Sequence, residues 1–133
     1  AQRLVRRLCE EKEEYQLDEV TLKRISKYCN IERITEILKE EKVIKKNQTI
    51  RDVKFFRPKA TKTCPEGYKG RLGIFEVLPV TETIRKLITQ GTSAEEIQNQ
   101  AIKEGMRTMV EDGFVKAAQG ITSIEEVLRV IIE

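Results

Sequence analysis

The sequence predicts a mainly α-helical fold that contains one small antiparallel β-hairpin. Through most of the chain, apolar residues recur at helical spacing and charged residues of alternating sign lie between them. Residues 72–78 instead alternate with a period of two and carry apolar residues on both faces, which is typical of a strand covered on two sides. Helices are therefore expected to form the body of the fold around a short sheet.

The N-terminal third is predicted to contain three helices. The first covers residues 1–14, with apolar residues at helical spacing. The second covers residues 19–29 and begins after Asp18, a good N-cap residue. The third covers residues 31–41. Because no native start or N-cap precedes the first helix, we expect this chain to be a piece of a longer protein.

The middle of the chain is predicted to hold the β-hairpin. Residues 42–49 are polar and basic and are expected to form a loop. Residues 50–57 change towards a period of two, which predicts a strand that pairs with residues 72–78. The connecting loop, residues 58–70, ends in Gly67-Tyr68-Lys69-Gly70, which is expected to be a tight turn.

The last third is predicted to be a helical bundle with clear capping signals. Thr81 and Gly91 bound one helix, and Ser93 with Glu96 opens a second that stops at Gly105. Residues 106–119 form a third helix, and residues 123–126 repeat the Ser-x-x-Glu capping box before a fourth. The predicted domain division is therefore a charged helical subdomain ending in a strand (1–57), a loop with the central strand (58–80) and a helical bundle (81–133).

Composition excludes several classes of function. The 25 Lys and Arg against 22 Asp and Glu give a net charge of only +3, which offers no electrostatic case for nucleic acid. Three cysteines at wide spacing predict no disulfide framework and fit a reducing cytosol. Histidine is absent and no phosphate-binding loop occurs, so no catalytic site can be assembled from this sequence.

Three ordered blocks resemble the C-terminal part of the ATPases that drive type II secretion and type IV pilus assembly. The blocks are residues 1–9 (AQRLVRRLC), residues 67–80 (GYKGRLGIFEVLPV), and residues 101–109, 111–113 and 120–127 (AIKEGMRTM, EDG and GITSIEEV). The resemblance implies the C-terminal helical bundle of a RecA-like ATPase whose nucleotide-binding core lies upstream and is absent here. This chain would then be inactive alone and would bind no cofactor, whereas the parent protein would use ATP and Mg²⁺.

The resemblance also implies the setting of the parent protein. It would be a cytoplasmic homohexamer, held at the inner membrane through a platform protein. The chain would contact its own ATPase core and neighbouring subunits, with no nucleic-acid partner. It would couple ATP hydrolysis to pilin assembly or protein secretion.

The metal site common in this family is degenerate here. Relatives carry two Cys-x-x-Cys pairs, which form a tetrahedral site. The first pair reads Cys9-Glu-Glu-Lys12 in this chain, and the second falls on Ala60 and Thr63, with Cys64 one place late. Zinc is therefore not expected, although Cys9 and Cys64 are expected to approach each other. Cys29 lies on an apolar stripe, where a small buried hydrophobe is the simpler role.

Arg71, Arg3 and Arg6 are the candidate residues for subunit contact or coupling. The resemblance places the Gly-Tyr-Lys-Gly-Arg71 segment near where neighbouring subunits meet, and a guanidinium there could pair with a carboxylate or phosphate. The alternative for each arginine is a solvated side chain or a structural ion pair.

Two other functions stay open at the level of sequence. A stand-alone helical adaptor without nucleotide chemistry would show the same caps and amphipathic helices. A zinc-ribbon-like nucleic-acid binder is disfavoured by the near-neutral charge and the missing ligands. A phosphate-binding loop upstream in the same reading frame would favour the motor.

Overall fold

The computed structural model describes residues 1–132 and confirms a mainly α fold with a small amount of antiparallel β structure. The described part holds six α-helices and four short strands. In chain order the elements are β1 (Gln2–Leu8), β2 (Lys12–Tyr15), α1 (Glu19–Ile25), α2 (Ile31–Glu40), a 3₁₀ turn (Ile50–Asp52), β3 (Phe55–Pro58), β4 (Tyr68–Phe75), α3 (Glu82–Thr89), α4 (Ala94–Lys103), α5 (Met109–Ala118) and α6 (Ile124–Ile132).

The prediction of a helix over residues 1–14 is wrong, because this segment forms β1 and β2. β1 runs antiparallel to β4, with Gln2 opposite Phe75 and Val5 opposite Leu72. Val5 is fully buried in a small apolar cluster that includes Val130 of α6. The apolar spacing of this segment fits a helix locally, but pairing with a strand more than 60 residues away decides the conformation.

The predicted pairing of residues 50–57 with residues 72–78 is also wrong. β3 pairs with β2 in a second two-stranded sheet, with Lys12 opposite Pro58 and Tyr15 opposite Phe55. The molecule thus has two separate ribbons, each joining the N-terminal segment to the middle of the chain. Residues 68–70 of the predicted turn are the first part of β4 instead, and Gly67 precedes the strand. Gly67 has φ +78°, and a Cβ there would lie 2.5 Å from Cβ of Pro58, so only glycine fits.

Most predicted helix starts are confirmed by their caps. The side chains of Asp18, Asn30, Thr81 and Ser93 each accept a backbone N–H at the start of α1, α2, α3 and α4. α5 begins at Met109 rather than at residue 106, because Thr108 and Glu111 form a reciprocal capping box there.

The main hydrophobic core lies between β3 and helices α1, α2, α5 and α6. Its centre is Phe55, whose ring meets the Phe114 ring edge-on at a centroid distance of 6.4 Å. A separate small cluster of Ile84, Ala101 and Met106 lies under α3 and α4. This second cluster makes the α3–α4 pair a distinct unit attached to the main body.

No helix within residues 1–132 is long and apolar enough to cross a membrane.

Candidate interaction surface

The antiparallel pair β1–β4, here called the ribbon, carries the three arginines predicted as contact residues, Arg3, Arg6 and Arg71. It has only two strands within the described chain, so each strand has one outer edge. Part of each edge is covered by helices: the Arg6 amide donates to Glu126 of α6, and the Phe75 amide donates to Asp112 of α5. Gly73 O accepts from Lys116 Nζ at 2.7 Å. Covered edges of this kind prevent unwanted strand pairing.

The remainder of the ribbon exposes apolar side chains. Leu4 is 55% exposed and Phe75 is 43% exposed. The Phe75 ring lies against Gly73, where a Cβ would be 2.4 Å from Cζ of the ring. Beyond the strand, Val77 and Val80 are 71% and 65% exposed. Leu4 and Phe75 line one shallow depression, and all four side chains remain exposed within residues 1–132. Exposed apolar side chains that cluster in this way favour an interaction site.

The ribbon is also strongly basic. β1 carries three arginines and β4 carries one lysine and one arginine, whereas neither strand contains a carboxylate. The side chains of Arg3, Arg7, Lys69 and Arg71 are exposed and make no hydrogen bond or ion pair within the described residues. A surface with unpaired cations beside apolar side chains fits a partner that brings carboxylate or phosphate groups.

Arg6 differs from the other candidates because its guanidinium is already engaged. Its Nη2 lies 2.7 Å from Glu126 Oε1, and the group stacks on the Tyr68 ring at 4.3 Å. Arg129 binds the same carboxylate from the next turn of α6, with Nη2 2.9 Å from Oε2. These contacts fasten β1 to α6. The role of Arg6 at a subunit contact stays a prediction.

The buried carboxylate of Glu126 is held ionised by these two arginines. Only 2% of its side chain is exposed, and burial alone would raise its pKa. Hydrogen bonds from Arg129 and Arg6 outweigh that effect and lower the Glu126 pKa to about 2. From the sequence, Glu126 is predicted only as part of a capping box. Its charge and its neighbour Arg129, three residues on, were the available signals of a buried ion pair.

Arg3 and Arg71 lie on the ribbon at separate pairing positions. Arg71 is opposite Arg6, and Arg3 is opposite Ile74. Both side chains are exposed, so the structure leaves them available for a partner. The contact of Arg3 and Arg71 with another subunit stays a prediction.

The degenerate metal positions serve other purposes in this chain. Cys9 and Cys64 form a disulfide with a Cα–Cα distance of 6.7 Å, so the expected approach of these two cysteines is confirmed, whereas the prediction that the chain has no disulfide is wrong. Lys12 donates to Gly120 O at 2.9 Å and lies 5.2 Å from the centre of the Phe56 ring. The exposed Thr63 meets only the neighbouring Thr61 hydroxyl, at 3.4 Å.

The residue types that bind metals do not converge elsewhere in the described chain. Within residues 1–132, no three His, Cys, Asp or Glu side chains lie close enough to hold a metal ion. Cys29 follows α1 and packs half-buried against the main core, and burial raises the pKa of its thiol to about 11, which fits the predicted packing role.

Comparison with known proteins agrees with the resemblance drawn from the sequence. The profile of the Type II/IV secretion system protein family matches residues 1–129. The chain is 40% identical to the type IV pilus assembly ATPase PilB of Thermus thermophilus, a match that covers 100% of this chain and 13% of that protein.

Two other relatives are also similar to this chain and are much longer than it. The PilB of Pseudomonas aeruginosa is 37% identical over 98% of this chain and 20% of its own length. The type II secretion system protein E of Xanthomonas campestris is 46% identical over 59% of this chain and 14% of its own length. The chain thus spans a fifth or less of the length of these relatives. It belongs to the Type II/IV secretion system protein family.

Proposed function

We propose that this chain is the C-terminal coupling subdomain of a motor ATPase for type IV pilus assembly or type II secretion. In this proposal it performs no catalysis itself and transmits the effect of ATP hydrolysis from a nucleotide-binding core to pilin assembly or secretion. The family match over almost the whole chain supports the class of motor. The small share of each relative that the chain covers supports a core located elsewhere in the parent protein.

The ribbon is the observation that carries the proposal. A lone two-stranded ribbon is marginal in water, and stable sheets have more strands or a covering layer. Here α5 and α6 cover part of the ribbon, whereas Leu4, Phe75, Val77 and Val80 remain exposed in residues 1–132. The core of the parent protein would supply that cover, which would make the ribbon its mechanical connection to the helical bundle.

The basic residues of the ribbon would act at its contacts with other subunits. In the proposed homohexamer, Arg71 and Arg3 pair with a carboxylate or a phosphate of the neighbouring subunit, where a guanidinium can make two parallel hydrogen bonds. ATP and Mg²⁺ are bound by the core. The assembly works on the cytoplasmic side of the inner membrane, where it meets the platform protein.

The test combines the isolated chain with the full-length parent. In the parent, the double substitution Leu4→Glu and Val77→Glu places two carboxylates on the proposed contact with the core. ATPase activity is expected to fall by at least about tenfold, the equivalent of 1.4 kcal/mol. Both side chains are more than half exposed, so the isolated chain carrying the same substitutions should melt at an unchanged temperature.

The matched control is Val20→Glu on α1, a valine that is 79% exposed on another element. It should leave the ATPase activity of the parent unchanged. Phosphate release by the isolated wild-type chain should not exceed background. Turnover by the isolated chain, or wild-type activity of the double variant, would contradict the proposal.

A further inference from the structure

A groove lies between α3, α4 and the segment after β4. Its volume is about 600 Å³, within the range of binding pockets for small ligands and peptide side chains. Leu78, Ile88, Ile97 and Met106 line its walls. Ile88 is 48% exposed and Leu78 is 39% exposed, so the apolar lining is open to solvent.

The groove is preformed by capped helices over a small core of its own. Thr81 and Ser93 cap the two helices, and Ile84, Ala101 and Met106 pack beneath them. Thr81 Oγ1 also donates to Glu104 at 2.7 Å, which joins the start of α3 to the end of α4. A partner would therefore bind a site that is already ordered, which reduces the entropic cost of association.

The charge at the groove is negative. Glu76 and Glu95 are among its lining residues, which include no lysine or arginine. The Glu95 carboxylate makes no hydrogen bond or ion pair within residues 1–132, and the Glu76 carboxylate accepts only the Met109 amide, at 3.3 Å. An apolar groove with unpaired carboxylates favours an occupant that has bulky aliphatic side chains with cations beside them.

We propose that this groove docks a short cationic amphipathic helix of a partner protein. Leucine- or isoleucine-sized side chains one turn apart would enter between Leu78 and Ile88, and a lysine or arginine beside them would meet Glu95. This is the helix-in-groove mode of recognition. The groove is lined by none of Leu4, Phe75, Val77 and Val80, so the proposal does not depend on the contact proposed for the ATPase core.

A second copy of this chain fits less well as the occupant. Its exposed bulky apolar side chains on helices occur singly, as Val20 on α1, Ile88 on α3 and Ile132 on α6. None of these helices in the described chain presents two of them one turn apart. The other segment of a second copy that fits the groove is the ribbon, where Leu4 lies beside Arg3. The Leu4→Glu variant in the experiment tests that segment.

The experiment measures binding of two labelled helical peptides of about 16 residues. Both carry leucine at positions i, i+3, i+4 and i+7, and their polar positions are lysine in one peptide and glutamate in the other. Fluorescence anisotropy at 0.1 M salt, where distant surface charges are screened beyond about 10 Å, should show saturable binding of the lysine peptide alone. Ile88→Glu and Glu95→Lys should each weaken that binding by about tenfold or more.

The controls separate the groove from general attraction and from self-association. Glu125→Lys makes the same charge change at an exposed site on α6, and Leu4→Glu alters the ribbon. Both should leave peptide binding within about twofold of the wild type, less than 0.5 kcal/mol. Equal binding of the two peptides, or an equal effect of Glu125→Lys and Glu95→Lys, would overturn the proposal. So would sedimentation showing dimers of the chain that Ile88→Glu dissociates, because the occupant would then be a second copy.

Discussion

Substitution of Glu126 by glutamine should destabilise the chain by removing the buried charge that holds β1 on α6. Five hydrogen bonds reach this carboxylate, three from Arg6 and two from Arg129. A carboxyl with a pKa of about 2 in the folded chain and 4.5 in the unfolded chain contributes about 3 kcal/mol at pH 7. The arginine side chains are 43% and 44% exposed, which screens the pair and reduces the expected loss to about 2–3 kcal/mol.

The assay is urea and thermal unfolding of the chain and its variants at several pH values. For a domain of this size, the expected loss corresponds to a fall in Tm of roughly 10 °C at pH 7. Because the folded-state pKa is depressed, the Glu126 contribution is complete above pH 4.5 and is lost as the pH falls towards 2. The difference between wild type and Glu126→Gln should therefore shrink between pH 5 and pH 2.

The control is Glu125→Gln, the same change at the neighbouring exposed residue, which should alter stability by less than about 0.5 kcal/mol. A loss below about 1 kcal/mol for Glu126→Gln, or a loss that does not depend on pH, would refute the assignment of this ion pair.

Three further predictions concern single features of the chain. Arg71→Ala in the full-length parent should lower ATPase activity, yet change the stability of the isolated chain by less than about 0.5 kcal/mol, because the Arg71 side chain has no partner in residues 1–132. A large fall in the melting temperature of the variant would show that Arg71 is structural. Elemental analysis of the chain purified without chelator should find less than one zinc per chain. Disulfide mapping by mass spectrometry without reductant should find Cys9 linked to Cys64. One full zinc equivalent per chain would show that the chain retains a metal site. Gly113→Ala should lower the free energy of unfolding by about 1–2 kcal/mol despite the better helix propensity of alanine, because the new Cβ would lie 2.6 Å from Cγ1 of Val127. A more stable variant would show that α5 and α6 can move apart without loss of stability.

Local signals in the sequence predicted the helical bundle well. A cap is set by side-chain oxygens a few residues from the amides they accept, so Thr81 and Ser93 could be recognised without knowledge of the fold. Gly91 and Gly105 both adopt positive φ after α3 and α4, as their positions predicted. Each of these features depends on neighbours in sequence.

The β structure could not be predicted in the same way, because its pairing is non-local. Residues 2–8 contain apolar residues that satisfy a helical stripe, and only the partner strand at residues 68–75 makes them a strand. The disulfide joins cysteines that lie 55 residues apart in the sequence, so it depends on the strand pairing that brings the two segments together. Arg6 shows the same limit at the candidate site, since its partner Glu126 lies 120 residues further along the chain.

The most direct test of the coupling account is amide hydrogen exchange of the ribbon in two contexts. Bonds from the Arg6 and Phe75 amides to α6 and α5 show that alternate residues of β1 and β4 point their backbone groups away from the pair. In the isolated chain, the amides of Leu4 and Arg71 on those outer edges should exchange rapidly, because no backbone bond covers them within residues 1–132. In the full-length parent, the core should slow exchange at one or both of them by at least about tenfold, while exchange in α2 stays the same. Equal rates in both contexts at Leu4 and at Arg71 would contradict the claim that the ribbon joins this subdomain to the motor core.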